Sequence, residues 1–386
     1  MGWDRQAPKV VDVPEPPVLG RWLLAAVMAV LICALLFLLH ASQQVPLLLT
    51  LNIWALAGSP LLVWVLAFGA RAYAHGCALS RFQFLEEEAQ IAQHSWQAWA
   101  QRYLGVVAGC VVLPDQVSAS ILTSPGVDVL SRTGQARRIL DLPAQTQRAC
   151  AGLQILIPAV VPALQALPMG QALRVTLLSD VDPSDYDALR NAWQQTWNLT
   201  LDRPMPATLN LAGELSCQWV DDTLKAASAT VELILVLQVH GKDAYSDGLA
   251  ALLLCPDSLA SALELPIAAG LLRPMPLNIE ALDRELPLFL QTQSSACRAT
   301  GLLAYTVCWK PLTGKLLAVA GAQGAALNAT QQWFQEGVCG RSGPLGHWLV
   351  IALGVEVVRH QRQPLLVLTR EHSQHWISTL TTGELA

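Results

Sequence analysis

Residues 22–70 constrain this chain more than any other stretch. They hold two apolar runs, 22–39 and 45–70, with no Asp, Glu, Lys or Arg in either, joined by His40-Ala41-Ser42-Gln43-Gln44. Roughly 20 helical residues at ~1.5 Å each span the ~30 Å hydrocarbon core of a bilayer, so each run is long enough to cross one. The link is too short to hold a domain. The pair therefore reads as a transmembrane hairpin over 21–71, with helices at about 22–40 and 46–70. Asn52 and Gly58-Ser59-Pro60 in the second run are residues of the kind that kink a membrane helix or let a neighbour approach.

The flanks set the topology. Residues 1–20 read as a disordered segment, because Pro8, Pro14, Pro16 and Pro17 block a helix and the charges are mixed. They are not a cleavable leader: Asp4, Asp12 and Glu15 precede the apolar run, and no small-x-small site follows it. Arg5, Lys9 and Arg21 lie before the hairpin, Arg71 and Arg81 lie after it, and the link has no basic residue. The excess of basic residues on the cytoplasmic side of membrane proteins then places both termini in the cytoplasm of a bacterial inner-membrane, multi-pass protein. Asn198-Leu199-Thr200 and Asn328-Ala329-Thr330 match the glycosylation pattern, which carries no weight in a cytoplasmic domain.

Of 386 residues, roughly 300 remain for a soluble part, enough for one large domain or two small ones. Apolar residues make up 53% and charged ones 14%, so that part must bury a large core. A net charge of −5 with no Lys/Arg cluster excludes a nucleic-acid surface built on bulk charge. Nine cysteines, an odd number with no CxxC pair, argue against a disulfide framework or a structural zinc site. Most lie in apolar runs, as small hydrophobes in a reducing compartment do.

No cofactor is expected. Gly-rich phosphate loops, Walker motifs and a GxSxG elbow are absent. His372 and His375 lack a completing ligand set. Asp180, Asp182, Asp185 and Asp187 lack the glycine and terminal glutamate of a calcium loop, and read as helix-capping residues.

After the hairpin, 72–104 reads as a membrane-proximal amphipathic helix. Leu85, Ala89, Ala92, Trp96, Trp99 and Tyr103 share one face, and Glu86, Glu87 and Glu88 open its first turns. The rest, 105–386, reads as a cytoplasmic mixed α/β domain. Strands are expected at 105–113, 173–178, 208–211, 231–239, 248–254, 302–309, 315–322, 364–369 and 375–380. Helices are expected at 152–167, 184–197, 219–228, 325–336 and 347–360. Long apolar strands alternating with helices indicate a mostly parallel sheet covered on both faces.

Two local patterns carry a resemblance. Tyr245-Ser246-Asp247-Gly248 leads into the apolar run 249–254. Gly343-Pro344-Leu345-Gly346-His347 opens an apolar helix ending Arg359-His360, followed by the strand 364–369. With the element order around them, these resemble a thiolase-like, or β-ketoacyl synthase-like, domain of two pseudo-repeated halves. In that family a cysteine at a helix N-terminus attacks an acyl thioester, and histidines with backbone N–H groups hold the oxyanion. The resemblance assigns the nucleophile to Cys217 and the histidine to His347. It also shows departures. Bulky Gln218, Trp219 and Val220 follow Cys217 where small residues are expected, and Trp309-Lys310-Pro311-Leu312-Thr313-Gly314 stands in place of a His-Gly-Thr-Gly motif. One oxyanion donor is worth roughly 10²–10³ in rate.

The sequence thus points to a degenerate thiolase-like fold kept as a non-enzymatic, membrane-anchored adaptor for another protein. Its general type is an accessory of a bacterial secretion or toxin-delivery cluster. The competing reading is a membrane-tethered acyltransferase using Cys217 and His347.

Overall fold

The computed structural model describes residues 3, 12–43, 52–124, 131–143 and 147–383. The chain divides into two compact units, Gln6–Ser95 and a larger one made of Met1–Arg5 with Trp96–Ala386.

The smaller unit holds α1 (Leu19–Ala41) and most of α2 (Ile53–Gln101). The two helices touch in antiparallel order. Trp22 meets Phe68 with ring centroids 5.3 Å apart, Trp64 Nε1 donates to the Trp22 carbonyl at 3.0 Å, and Phe37 meets Trp54 at 6.5 Å. Ala29 is the one described residue of α1 that is buried, while Leu23, Leu24 and Leu38 are each more than 60% exposed. Both helices are long and apolar enough to cross a membrane. Of the expected link, His40 and Ala41 form the end of α1, Ser42 caps it, and Gln44 lies outside the described residues.

The sequence separates a membrane helix ending near 70 from an amphipathic helix over 72–104; the structure has one helix of 49 residues, about 74 Å long at ~1.5 Å per residue. Nothing between 70 and 82 breaks it, since a lone Gly76 costs only about 1 kcal/mol. It ends at Gln101, and Tyr103, expected as the last residue of its apolar stripe, opens a strand.

Half of the segment expected to be disordered, residues 1–2 and 4–11, lies outside the described set; residues 12–18 have no regular structure, and Leu19 and Gly20 already belong to α1. Trp3 is described, and it belongs to the larger unit. Its ring packs against Trp99 and Phe289 at 5.3 and 5.6 Å, and its Nε1 donates to the Pro274 carbonyl at 3.2 Å.

Among its described residues the larger unit has eleven strands: β1 (Tyr103–Val112), β2 (Leu173–Ser179), β3 (Leu209–Ala212), β4 (Val231–Gln238), β5 (Gly248–Pro256), β6 (Ala269–Leu272), β7 (Met275–Leu277), β8 (Gly301–Ala304), β9 (Gln332–Phe334), β10 (Leu365–Glu371) and β11 (Gln374–Thr382). Their order is β3-β2-β4-β5-β1-β6-β11-β10-β8-β9, with β7 beside β11. The sheet is mixed, not mostly parallel. Pairs β2–β3, β2–β4, β8–β10 and β8–β9 are parallel, whereas β4–β5, β1–β5, β1–β6, β6–β11, β7–β11 and β10–β11 are antiparallel. The β10–β11 turn is only His372-Ser373, too short for the crossover that a parallel pair requires.

The helices of this unit are α3 (Ala119–Thr123), α4 (Arg148–Ala166), α5 (Tyr186–Thr200), α6 (Gln218–Ala226), α7 (Asp257–Ala262), α8 (Leu282–Thr292), α9 (Thr313–Ala322), α10 (Gln335–Cys339) and α11 (Gly346–Gln361). Period-two alternation distributes strand residues between cores. In β4, Ile234 and Val236 enter the core shared with α6 and α11, while Leu233, Leu235 and Leu237 enter the core under α4 and α5. In β10, Leu365 and Val367 face that same first core, and Leu366 and Leu368 face a third core with α8 and α9. Helices α6 and α11 therefore share one core with strands from both ends of the sheet order.

Three expected elements differ. Residues 315–322 form helix α9 instead of a strand; Leu316 and Ala320, four apart, bury one helical stripe. The strand at 302–309 stops at Ala304, and Val307–Leu312 is a 3₁₀ helix. The helix at 325–336 is replaced by a turn, in which Asn328 Oδ1 accepts from Thr330 N at 3.0 Å, and by β9 paired beside β8. Strands β6 and β7 were not anticipated, because their short runs carry little periodicity; helix α8 was not anticipated either, although Leu282, Leu286, Phe289 and Leu290 recur at helical spacing around Pro287.

Candidate active site

Cys217 caps α6, and its local geometry follows from what β10 sends toward it. Thr369 and Glu371, two residues apart, share a face of β10. Glu371 Oε2 accepts from the Cys217 backbone N–H at 3.1 Å and from the Ser216 hydroxyl at 2.9 Å. Ser216 Oγ accepts from Gln218 N at 3.2 Å, so the opening turn of α6 is already supplied with acceptors. The Cys217 thiol is buried, 3.6 Å from Thr369 Oγ1. Burial pushes its pKa up to about 12, the Thr369 contact opposes this, and the Glu371 charge adds to it.

His347 sits at the start of α11 and is also buried. Its Nε2 lies 2.8 Å from the Leu215 carbonyl, which also accepts from Trp348 Nε1 at 2.7 Å. A carbonyl only accepts, so Nε2 carries the proton and its N–H is committed to the loop before α6. Burial lowers the His347 pKa, against the opposing Leu215 contact and the Glu371 charge. Trp219, two residues after Cys217, packs on Trp348 with centroids 5.8 Å apart and an interplanar angle of 70°. The sequence-assigned pair is thus gathered into one neighbourhood, bridged by Leu215, Ser216 and Glu371.

A cavity of about 510 Å³ opens beside this neighbourhood. His347, Glu371, Tyr305, Cys308 and Arg370 line it; Cys217 does not. Thr306 Oγ1, also on the lining, is buried without a hydrogen-bond partner.

Comparison with solved structures then places the fold. A type II polyketide ketosynthase, solved with its acyl-carrier protein and a bound hexaketide, has a TM-score of 0.51 at 9% identity, over 73% of this chain and 99% of that one. The larger unit has a divergent thiolase-like fold. An oxazolomycin ketosynthase domain of Streptomyces albus has a TM-score of 0.47 at 12% identity, covering 72% and 95% of the two chains. OleA of Xanthomonas campestris with cerulenin has 0.44 at 10% identity, covering 74% and 98%. No family model and no curated protein matches the sequence.

The histidines and aspartates to which the sequence assigns no metal-binding role have separate partners in the structure. His375 packs on the Trp309 ring at 5.2 Å, while His372 Nε2 lies 3.6 Å from Glu214. Asp180 accepts from Val239 N, His240 N and the Tyr245 hydroxyl at 3.0, 2.7 and 3.1 Å; Asp182 accepts from Ser184 N; Asp187 pairs with Arg190. Among the described residues no group of three or more His, Cys, Asp or Glu is placed to hold a metal ion. All nine cysteines are free.

The residues that sequence reasoning missed are Glu371 and Thr369. The available signal was the end of an apolar strand, Leu368-Thr369-Arg370-Glu371, where two polar groups fall on one face. Their meeting with Cys217 depends on a separation of more than 150 residues, which no local pattern carries.

Proposed function

We propose that this chain is a membrane-anchored binding protein whose thiolase-like domain does not perform acyl transfer at Cys217. One observation carries the reading: the Glu371 carboxylate occupies the opening turn of α6, the position from which a helix would lower a thiol's pKa. A carboxylate there favours the neutral thiol, and a nucleophilic cysteine must be a thiolate. The test is alkylation of the full chain in lipid nanodiscs at neutral pH. Exposed Cys77 and Cys308 should label with iodoacetamide, and Cys217 should label only in denaturant. Labelling of native Cys217 by an acyl-thioester probe, lost in Cys217→Ala, would establish the acyltransferase instead.

The membrane reading has two crossings, by α1 and the first part of α2, with both ends cytoplasmic. The antiparallel ring contacts and the lipid-like exposed surface of α1 support it. Trp3 supports it independently, because it packs in the unit that follows α2, and a segment before the hairpin reaches that side only after an even number of crossings. Protease added outside intact cells should leave the C-terminal part whole; digestion would reverse the orientation.

The halves of the sheet read as a duplication. Outward from β1 the order is β5, β4, β2, β3, and outward from β6 it is β11, β10, β8, β9, with the same parallel and antiparallel sequence. On this reading α6 and α11 are counterparts, so Cys217 and His347 start equivalent helices. As an adaptor, the domain binds another protein beside a bacterial secretion or toxin-delivery machinery, a setting that no motif in the chain specifies. Purification from solubilised membranes without any stable protein partner would overturn the adaptor role.

A further inference from the structure

We propose that a second cavity, which shares no described lining residue with the first, binds a phosphomonoester that carries an apolar group. The cavity has a volume of about 520 Å³, within the range of small-molecule sites. Its described lining divides cleanly in two. Arg138, Arg148, His240 and Lys242 supply the polar groups, Ile139, Leu140, Leu142 and Val239 the apolar ones, and none of the described lining residues is acidic.

The charge balance is favourable to an anion. Asp247, wholly buried, pairs with both Arg138 and Arg148 and accepts from Ile139 N at 3.0 Å. Asp180 faces His240, at 3.4 Å from its Nδ1. Counting Asp247 and Asp180 against Arg138, Arg148 and Lys242 leaves a surplus of one positive charge at the cavity. Arg148 is fixed: it also donates to Pro143 O at 2.6 Å and Val239 O at 3.3 Å, so it supplies field in place of a free donor. Arg138 is held by one nitrogen at 2.7 Å from Asp247, and its side chain is 34% exposed. Its remaining N–H groups, with the Lys242 ammonium, are the donors available to a phosphate, and a guanidinium fits phosphate geometry in a bidentate manner.

The apolar side of the lining decides the class of anion. Leu140 is 85% exposed, a large hydrophobic side chain left in water beside a cationic rim. A phosphate alone would use only the rim; a phosphomonoester with an aryl or alkyl group would also cover Leu140 and Ile139. The start of α4 adds to the same field, since its first turn has no acidic residue and no side-chain cap.

The experiment uses the full chain in phosphatidylcholine nanodiscs and isothermal titration with phenyl phosphate, inorganic phosphate and phenol. Phenyl phosphate should bind saturably and about tenfold more tightly than inorganic phosphate, as about 1.4 kcal/mol of apolar contact gives. Phenol should show no saturable binding. Lys242→Glu, on an exposed turn, should weaken phenyl phosphate at least about tenfold while leaving the thermal midpoint unchanged, and Arg138→Lys should weaken it with inorganic phosphate in parallel. Absence of saturable phenyl phosphate binding, or equal affinity in Lys242→Glu, overturns the site. Repeating the titration with phosphatidic acid in the nanodisc separates the sources: competition identifies a lipid headgroup, and unchanged affinity identifies a soluble phosphomonoester.

Discussion

Two helices begin beside the Leu215 carbonyl, and they begin differently. Helix α11 is buried at every position from Gly346 to Val355, and His347 and Trp348 both reach that carbonyl. Helix α6 is short and amphipathic; Val220, Asp221, Thr223 and Leu224 are buried, while Asp222 and Lys225 face water. The core requires α11, because a helix apolar on all sides has no other stable place. The start of α6 is bound by different rules. It needs only acceptors for its orphan N–H groups, and a carboxylate serves as well as any. Packing therefore fixes one helix start, and electrostatics closes the other.

The comparison breaks most readily at Trp348. Trp348→Ala removes a fully buried indole and its bond to Leu215, and should cost about 3–5 kcal/mol in a denaturant titration of the detergent-solubilised chain. A loss below about 1 kcal/mol would mean that α11 does not carry the core.

Gly346→Ala should follow at about 1–3 kcal/mol. A Cβ there would lie 2.2 Å from Tyr305 Cε2, and that ring is held by its hydroxyl, which donates to the Gly343 carbonyl at 2.6 Å. Thermal melting of the variant checks this, and an unchanged midpoint would show that the ring yields freely.

His347 sharpens the comparison through pH. Burial holds its folded pKa below the ordinary value of 6.5. The unfolded chain therefore takes up the proton first. This site's contribution to stability is complete above pH 6.5 and is lost as pH falls below it. His347→Gln should flatten that acid limb, and parallel wild-type and variant curves between neutral and mildly acid pH would refute the assignment.

The smallest effect on stability is expected at the other helix. Glu371→Gln removes the charge facing Cys217 and should change stability by no more than about 1 kcal/mol, the scale of one charge at a helix end. Its reactivity effect has a definite sign. With the carboxylate charge gone, the Cys217 thiol pKa falls, and native Cys217, which does not label in wild type, should begin to label slowly with iodoacetamide. Native Cys217 that stays as unlabelled in Glu371→Gln as in wild type would remove Glu371 from the account.

Much of the fold was legible where pattern and length agreed. The strands at 173–178, 231–239 and 248–254 and the helices at 152–167 and 347–360 emerge within a few residues of their expected bounds. Errors cluster in the second half. Residues 315–322, Lys-Leu-Leu-Ala-Val-Ala-Gly-Ala, are apolar enough to suit either a strand or a helix, and only the third core selects the helical stripe Leu316/Ala320. The site was legible in half. Cys217 and His347 were visible as residues at helix starts, while nothing in the local sequence marks Glu371 as their neighbour.

What the sequence determined by itself was whatever depends on near neighbours: two long runs without a charged residue, the long apolar strands, and the apolar helix that begins at His347. Tertiary structure alone decided the chemistry at Cys217. The groups that set a thiol's ionisation are those within a few ångströms in space, and here they arrive from a strand about 150 residues further along the chain.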